Sequence, residues 1–338
     1  MKTLVWIGPN EMVVEEREKP TIKGDEVLIE VDVVGICGSE IEGFLGHNSL
    51  RVPPLVMGHE FAGVVAEIGE NVSGLKIGQK VVVNPLIACG RCDRCIKGTE
   101  NLCDHRTIIG IHRPGAFAEF VAVPARNVHV IPDEMNVYDA ALTEPLACSL
   151  RGVRRALAFE PFANVLVYGA GTIGLLSAFV AQILGANKVI VADLNEKRLE
   201  TIQNVGIQHV IHSKTEDVKA AVERITLGAG VDVIVDAAGF VPTRTEALQV
   251  INAGGVILNI GLGVDETPLN INDQIRREIT ILGTFTYTAQ DFKHALELLK
   301  EGKISHVGWS ERRPLSNGQA AFTDLVQGRV TNSKIFLN

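Results

Sequence analysis

Four cysteines crowd into one short stretch, Cys89, Cys92, Cys95 and Cys103, spaced Cys-x2-Cys-x2-Cys-x7-Cys. Four thiolates on one loop close a tetrahedral site with no open position, the donor set of a structural zinc. Gly90 and Gly98 let the loop wrap around the ion. An iron–sulfur cluster uses related spacing, and reduced free thiols are the plain alternative. Two further places could do chemistry. Cys37 lies in Gly-Ile-Cys37-Gly-Ser39-Glu40, and His59 and Glu60 lie in Met-Gly-His59-Glu60-Phe. Taken singly, such a cysteine or histidine is most often a core residue; the combination with the cysteine loop is what draws attention. Cys148 reads as ordinary helix packing.

A different chemistry is written at Gly169-Ala170-Gly171-Thr172-Ile173-Gly174, after a strand ending at Tyr168 and at the opening of a helix. The first glycine makes a tight turn, the second admits a pyrophosphate to the backbone, and the third packs helix on strand. Gly171, Thr172 and Ile173 then present the helix N-terminus, with its free N–H groups, to the phosphates. The next strand ends at Asp193, nineteen residues beyond Gly174. A carboxylate there binds the adenosine ribose hydroxyls and repels a 2′-phosphate, so NAD is expected over NADP. Arg198 either stacks on adenine or is a solvated helix charge.

These residues need a scaffold. The chain has 338 residues, 46% hydrophobic and 21% charged, which suits two globular domains rather than disorder. A net charge of −8 without a basic block disfavours nucleic acid and anionic membranes. The opening residues show no apolar core of a signal peptide. The long uncharged run from Pro161 to Asn187 opens with a Gly-rich turn, and its helical part is too short to span a bilayer. No membrane segment and a cytoplasmic location are therefore expected. Up to about residue 150 the chain reads as β-rich, with strands at Glu26–Val34, Phe61–Ile68, Lys80–Asn84, Ala118–Val123 and Asn127–Ile131. From Val165 onward, buried strands alternate with helices near Thr172–Leu184 and Glu196–Val205, the pattern of a doubly wound parallel sheet. A last helix is expected over Asp291–Lys300, before a strand-like tail.

The pieces GICGSE, VMGHEFAGVVAEIGENV, CGRCDRC…C, GAFAEFVAVP, LTEPLA and YGAGTIG together resemble the zinc-containing medium-chain alcohol/polyol dehydrogenases, the family of sorbitol and threonine dehydrogenases. They come in that family's order and cover almost the whole chain. The resemblance implies an α/β protein with a GroES-like β-rich catalytic domain and a Rossmann NAD-binding domain, with a cleft between them. The catalytic domain would be discontinuous, residues 1–148 and 288–338, with the Rossmann domain at 149–287. It implies two zinc ions, one structural and one catalytic. Cys37 and His59 would hold the catalytic ion. Glu60 would bind it or sit behind it, and Glu144, in Thr-Glu144-Pro, stands where the polyol branch has a carboxylate. One thiolate, one imidazole and one carboxylate leave room for substrate, as catalytic zinc requires. Ser39 matches the family's relay hydroxyl.

Two positions depart from that pattern. Relatives commonly have Asp at Glu40, and His at Glu42. Glu42 is expected either to take over the proton relay or to bind a substrate hydroxyl or amine, with His47 as an alternative and an idle loop glutamate as the plain reading. The expected reaction moves a hydride from a secondary hydroxyl of a polyol or sugar to NAD, giving a ketone. A threonine 3-dehydrogenase-like or simple diol activity is the alternative, with Glu42 for the ammonium and Arg113 for the carboxylate. A non-enzymatic NAD-binding sensor is a remote one. A homo-oligomer, dimer or tetramer, is expected, with Val256–Ile260 and Ile279–Phe285 as candidate pairing strands.

Overall fold

The computed structural model describes all 338 residues and divides into two compact units. Unit 1 comprises Met1–Glu144, Thr288–Val330 and Lys334–Asn338, and unit 2 comprises Pro145–Tyr287 with Thr331–Ser333. The return of the chain to unit 1 was expected to run unbroken to the end. Instead Thr331–Ser333 joins unit 2, because Ser333 exchanges hydrogen bonds with the glycine-rich loop: its Oγ donates to Ala170 O at 2.7 Å, and its carbonyl accepts from Thr172 Oγ1 at 2.6 Å.

Unit 1 begins with an antiparallel hairpin, β1 (Lys2–Gly8) and β2 (Glu11–Glu16). β3 (Glu26–Gly35) leads into the short helix α1 (Gly38–Phe44), and β4 (Glu60–Ile68) returns beside β3. β5 (Lys80–Val83) follows, then the pair β6 (Leu86–Ile87) and β7 (Thr107–Ile108), which brackets the cysteine loop and its one-turn helix α2 (Asp93–Ile96). β8 (Phe120–Pro124), β9 (Val128–Val130) and α3 (Val137–Ala141) complete the first pass. α4 (Thr143–Leu157) then carries the chain from Glu144 into unit 2.

Unit 2 alternates strand and helix: β10 (Asn164–Tyr168), α5 (Thr172–Ile183), β11 (Lys188–Asp193), α6 (Glu196–Asn204), β12 (His209–His212), α7 (Val218–Thr226), β13 (Val231–Asp236), α8 (Val241–Val250), β14 (Ile251–Asn259), α9 (Ile271–Arg276) and β15 (Thr280–Gly283). All adjacent pairs are parallel, in the order β12-β11-β10-β13-β14-β15. β10 is buried along its whole length, as a central parallel strand covered on both faces must be. The uncharged run Pro161–Asn187 is thereby split into β10 and a twelve-residue helix, and no helix of the protein is long and apolar enough to cross a membrane. Val256–Ile260 falls mostly on β14, which lies between β13 and β15, so it is not an open edge as expected; β15 is.

The chain re-enters unit 1 with α10 (Ala289–Lys300), β16 (Ser310–Arg313), α11 (Gly318–Val326) and β17 (Lys334–Leu337). The main sheet of this unit runs β16-β17-β3-β4-β5-β9, with β8 also on β3. β17 pairs with the end of β3, at Gly35 and Val34, and so brings the C-terminal segment against the start of α1. One apolar core fills the unit, from Leu4 and Trp6 through Phe44, Met57 and Phe117 to Phe322.

Candidate active site and metal centres

α1 starts at Cys37, its N-cap, and Glu40 sits in the first turn, where a glutamate reaches back to the cap backbone. Glu40 Oε2 accepts from Cys37 N–H at 3.0 Å, and Glu40 Oε1 accepts from Gly58 N–H at 2.8 Å and from His59 Nδ1 at 2.8 Å. This one fully buried carboxylate therefore ties the start of α1 to the start of β4. With Nδ1 committed to Glu40, His59 has Nε2 left for a metal, the arrangement in which an outer carboxylate orients a ligating imidazole.

The ligand atoms of Cys37, His59 and Glu60 lie within 4.8 Å of one another. Burial pushes the Cys37 thiol up, but the charge and hydrogen bond of His59 outweigh it and bring the group down to about 6. Burial pulls His59 down, yet Glu40 and Cys37 hold it well above its ordinary value. Burial raises Glu40, and His59, Arg51 and the Cys37 N–H bring it below the usual carboxylate range. The pocket thus favours a thiolate and a carboxylate around one centre of positive charge, which suits a zinc ion on a thiolate, an imidazole and a carboxylate.

Behind this set lie groups that sequence reasoning missed. Lys334, fully buried on β17, contacts Glu60 Oε2 and donates to Ile36 O at 3.0 Å. The pair needs Gly35: a Cβ there would lie 2.5 Å from Lys334 Cε and 2.6 Å from Glu60 Oε2. Arg51, 3% exposed, donates through Nη2 to Ser39 Oγ at 3.2 Å, and Ser39 Oγ donates to Cys37 Sγ at 3.3 Å. Glu144 is buried at the start of α4 but is not one of the three gathered ligands. Glu42 lies on the solvent side of α1, 3.2 Å from His47 Nδ1. Arg113 is committed to Glu26 at 2.8 Å and to Ala122 O at 2.9 Å, so it does not stand free for a substrate carboxylate as the threonine reading required.

Cys89, Cys92, Cys95 and Cys103 also come within 4.8 Å of one another. A tetrahedral zinc with Zn–S of about 2.3 Å sets its sulfurs about 3.8 Å apart. Cys89 and Cys95 are 3.9 Å apart, and Cys92 and Cys95 3.5 Å. The loop is shaped for that ion with four protein ligands.

In unit 2 the glycine-rich turn has the geometry its spacing implies. Gly169 takes φ +100°, a conformation that favours glycine. A Cβ on Gly174 would lie 1.8 Å from Gly169 O, whereas one on Gly171 would meet nothing, so Gly171 faces open space at the N-cap of α5. Asp193 closes the turn: its Oδ2 accepts from Ala170 N–H at 2.6 Å and its Oδ1 from Asn195 N–H at 2.7 Å. Arg198 is half-buried on the first turn of α6, with its N–H on the Asn195 cap at 3.1 Å. The turn leaves backbone room for a pyrophosphate and sets a carboxylate beside it, which fits a dinucleotide.

Residues 23–133 match the alcohol dehydrogenase GroES-like domain, and residues 172–301 match the zinc-binding dehydrogenase domain. The chain is 34% identical over 310 residues to a sorbitol dehydrogenase of Halalkalibacterium halodurans, covering 90% of each. It is 36% identical over 290 residues to an L-threonine 3-dehydrogenase of a Chelativorans species, covering 84% of this chain and 83% of that one. An alcohol dehydrogenase from Escherichia coli, solved with NADH, superposes with a TM-score of 0.91 at 28% identity over 100% of this chain and 99% of the other. A glycine-rich turn closed by Asp193, a cysteine loop shaped for structural zinc and a thiolate–imidazole–carboxylate set oriented by Glu40 are thus carried by a chain that belongs to the zinc-dependent medium-chain alcohol dehydrogenase family of oxidoreductases.

Proposed function

We propose that this protein oxidises one secondary hydroxyl of a polyol or sugar to a ketone with NAD as hydride acceptor. The observation that carries the reading is the Cys37, His59 and Glu60 set, with His59 oriented by Glu40. Zinc held there would act as a Lewis acid on the alcohol oxygen, and bound NAD would accept the hydride. In the net reaction the carbinol carbon gives its hydride to the nicotinamide, the hydroxyl gives up its proton, and ketone, NADH and one proton result.

The remaining work falls to the chain's own residues. Cys37, His59 and either Glu60 or Glu144 hold the metal, and the four-cysteine loop holds the second ion. Glu40 keeps the His59 ring in one orientation and one tautomer. Ser39 Oγ takes the hydroxyl proton on its remaining lone pair as it releases the proton it holds toward Cys37 Sγ, and the Glu42–His47 pair at the solvent side of α1 carries that proton out. Gly169, Gly171, Thr172, Ile173 and Gly174 cradle the pyrophosphate. Asp193 selects the free 2′-hydroxyl of NAD, and Arg198 flanks the adenine. The enzyme works as a homo-oligomer in the cytoplasm, with β15 as the open edge that suits pairing between copies.

The test is an NADH-absorbance screen of zinc-loaded enzyme against a stereochemically varied set of polyols, sugars and sugar acids, threonine and simple diols. Turnover confined to one configuration of a polyol or sugar is expected, because a site that hydrogen-bonds several hydroxyls rejects analogues lacking them. Turnover of threonine alone overturns the substrate assignment.

A further inference from the structure

Arg51 is the one buried guanidinium beside the metal ligands, and nothing in the reaction outlined above uses it. It is 3% exposed. Of its nitrogens only Nη2 has a partner, Ser39 Oγ at 3.2 Å; Nε and Nη1 are buried without one. A guanidinium is never deprotonated in a protein, and leaving its donors unpaired in the interior is costly. Its stem is threaded over α1 through a gap that only glycine leaves. A Cβ at Gly43 would lie 2.5 Å from Arg51 Cδ and 3.2 Å from Nε. Burial works against the charge on Arg51, and Glu40 and Cys37 are what favour it.

We propose that Arg51 is a positioning residue for the oxidation, fixing the Ser39 hydroxyl between a permanent cation and the Cys37 sulfur. The Arg51 N–H occupies one lone pair of Ser39 Oγ and thereby directs the Ser39 O–H to Cys37 Sγ at 3.3 Å. Ser39 then offers its remaining lone pair to the substrate O–H in a single orientation, as the relay requires. As the hydroxyl proton leaves, the negative charge left on that oxygen develops near a cation that does not have to reorganise. The proposal rests on the assignment of Cys37 as a metal ligand and Ser39 as the relay hydroxyl.

The experiment compares Arg51→Met, Arg51→Lys, Gly43→Ala and Ser39→Ala, alone and with Arg51→Met and Ser39→Ala combined, in the zinc-loaded enzyme with the alcohol the wild type prefers. Arg51→Met is expected to lower kcat about tenfold or more, with KM changed less than about threefold, as for loss of a group that acts chiefly in the transition state. Arg51→Lys, which keeps charge but loses the planar fork, is expected to recover part of that. In the Ser39→Ala background Arg51→Met is expected to add less than about twofold, the signature of two residues acting as one unit. Gly43→Ala keeps a good helix former in α1 yet displaces the Arg51 stem, so it is expected to lower kcat in the same direction. It serves where Arg51→Met does not fold.

A second readout is independent of turnover. With cobalt(II) in place of zinc, the sulfur-to-metal charge-transfer band of Cys37 reports the hydrogen bond it accepts, and the cysteine loop contributes a constant background. Arg51→Met is expected to shift that band in the wild-type background and leave it unmoved in Ser39→Ala. Full multiplicativity of the two kcat effects, an unshifted band, or wild-type kcat in Gly43→Ala overturns the proposal. A wild type silent on every alcohol defeats the assigned activity instead, and the cobalt spectra still decide the role of Arg51.

Discussion

At the scale of single residues, the centre is organised by charges that lie one layer behind Cys37, His59 and Glu60. Glu40 takes three donors, Cys37 N–H, Gly58 N–H and His59 Nδ1. Glu40→Gln would turn one of its two oxygens into a donor facing a donor. Removing such an outer partner usually weakens metal binding 10- to 100-fold. After dialysis against a chelator, Glu40→Gln is therefore expected to keep about one zinc per chain, at the cysteine loop, where the wild type keeps about two; retention of both would count against Glu40 as the orienting group. Lys334 and Glu60 are buried at 0% and 1% side-chain exposure. In the metal-free protein Lys334→Met would strand a buried carboxylate, which costs about 3–5 kcal/mol. Urea unfolding should show a loss of that order, and adding Glu60→Gln should restore much of it, because an apolar or neutral pair carries no unpaired charge. A loss below about 1 kcal/mol would mean that the pair is not held as described.

At the scale of elements, what was legible in the sequence and what was not divide by distance along the chain. β3, β4, β5 and helices α5, α6 and α10 lie within a few residues of their expected spans, since turn glycines and apolar periodicity are local signals. α1, α3 and α11 were not anticipated, being short and shaped by packing. The cysteine loop and the glycine-rich turn could be read because their parts are neighbours. Lys334 could not, because it reaches Glu60 across 274 residues, and a lone lysine in a strand-like tail carries no sign of it. Arg51 left only the weak signal of an arginine shortly before Gly-His59-Glu60. A further element-level consequence follows from His129 on β9, whose ring lies 5.0 Å from Phe292 on α10. Burial first, and then Lys293 and Lys300, push His129 down to about 4. Its folded value lies below the unfolded value of about 6.5. The unfolded chain therefore takes up the proton first, so stability is complete above about pH 6.5 and falls as the pH drops toward 4. Thermal melts should show a larger loss between pH 7 and pH 5 in the wild type than in His129→Phe. Equal losses would mean that the ring is not held neutral between β9 and α10.

At the scale of the whole molecule, the chain uses its last residues to finish structures begun far earlier. β17 delivers Lys334 to the Cys37–His59–Glu60 set of unit 1, and the residue before it, Ser333, finishes the glycine-rich turn of unit 2. Ser333 Oγ donates to the carbonyl of Ala170, inside the Gly169–Gly174 turn, while the Ser333 carbonyl takes the hydroxyl of Thr172 at the first residue of α5. Two hydrogen bonds thus brace a turn whose glycines supply no side chains of their own, and Asp193 braces its other side through Ala170 N–H. Ser333→Ala removes the first bond and leaves the Ala170 carbonyl without that partner, at a cost of about 1–3 kcal/mol for the buried group. The effect should fall on the conformation that accepts the pyrophosphate, so NADH is expected to bind several-fold more weakly. Zinc content should stay at the wild-type level, since no metal ligand is touched. Fluorescence titration of NADH, beside a zinc assay on the same sample, checks both halves. Unchanged NADH affinity would show that the turn holds its shape from Asp193 and its glycines alone. A parallel loss of zinc would show that the substitution disturbs the β17 strand and Lys334 rather than the turn.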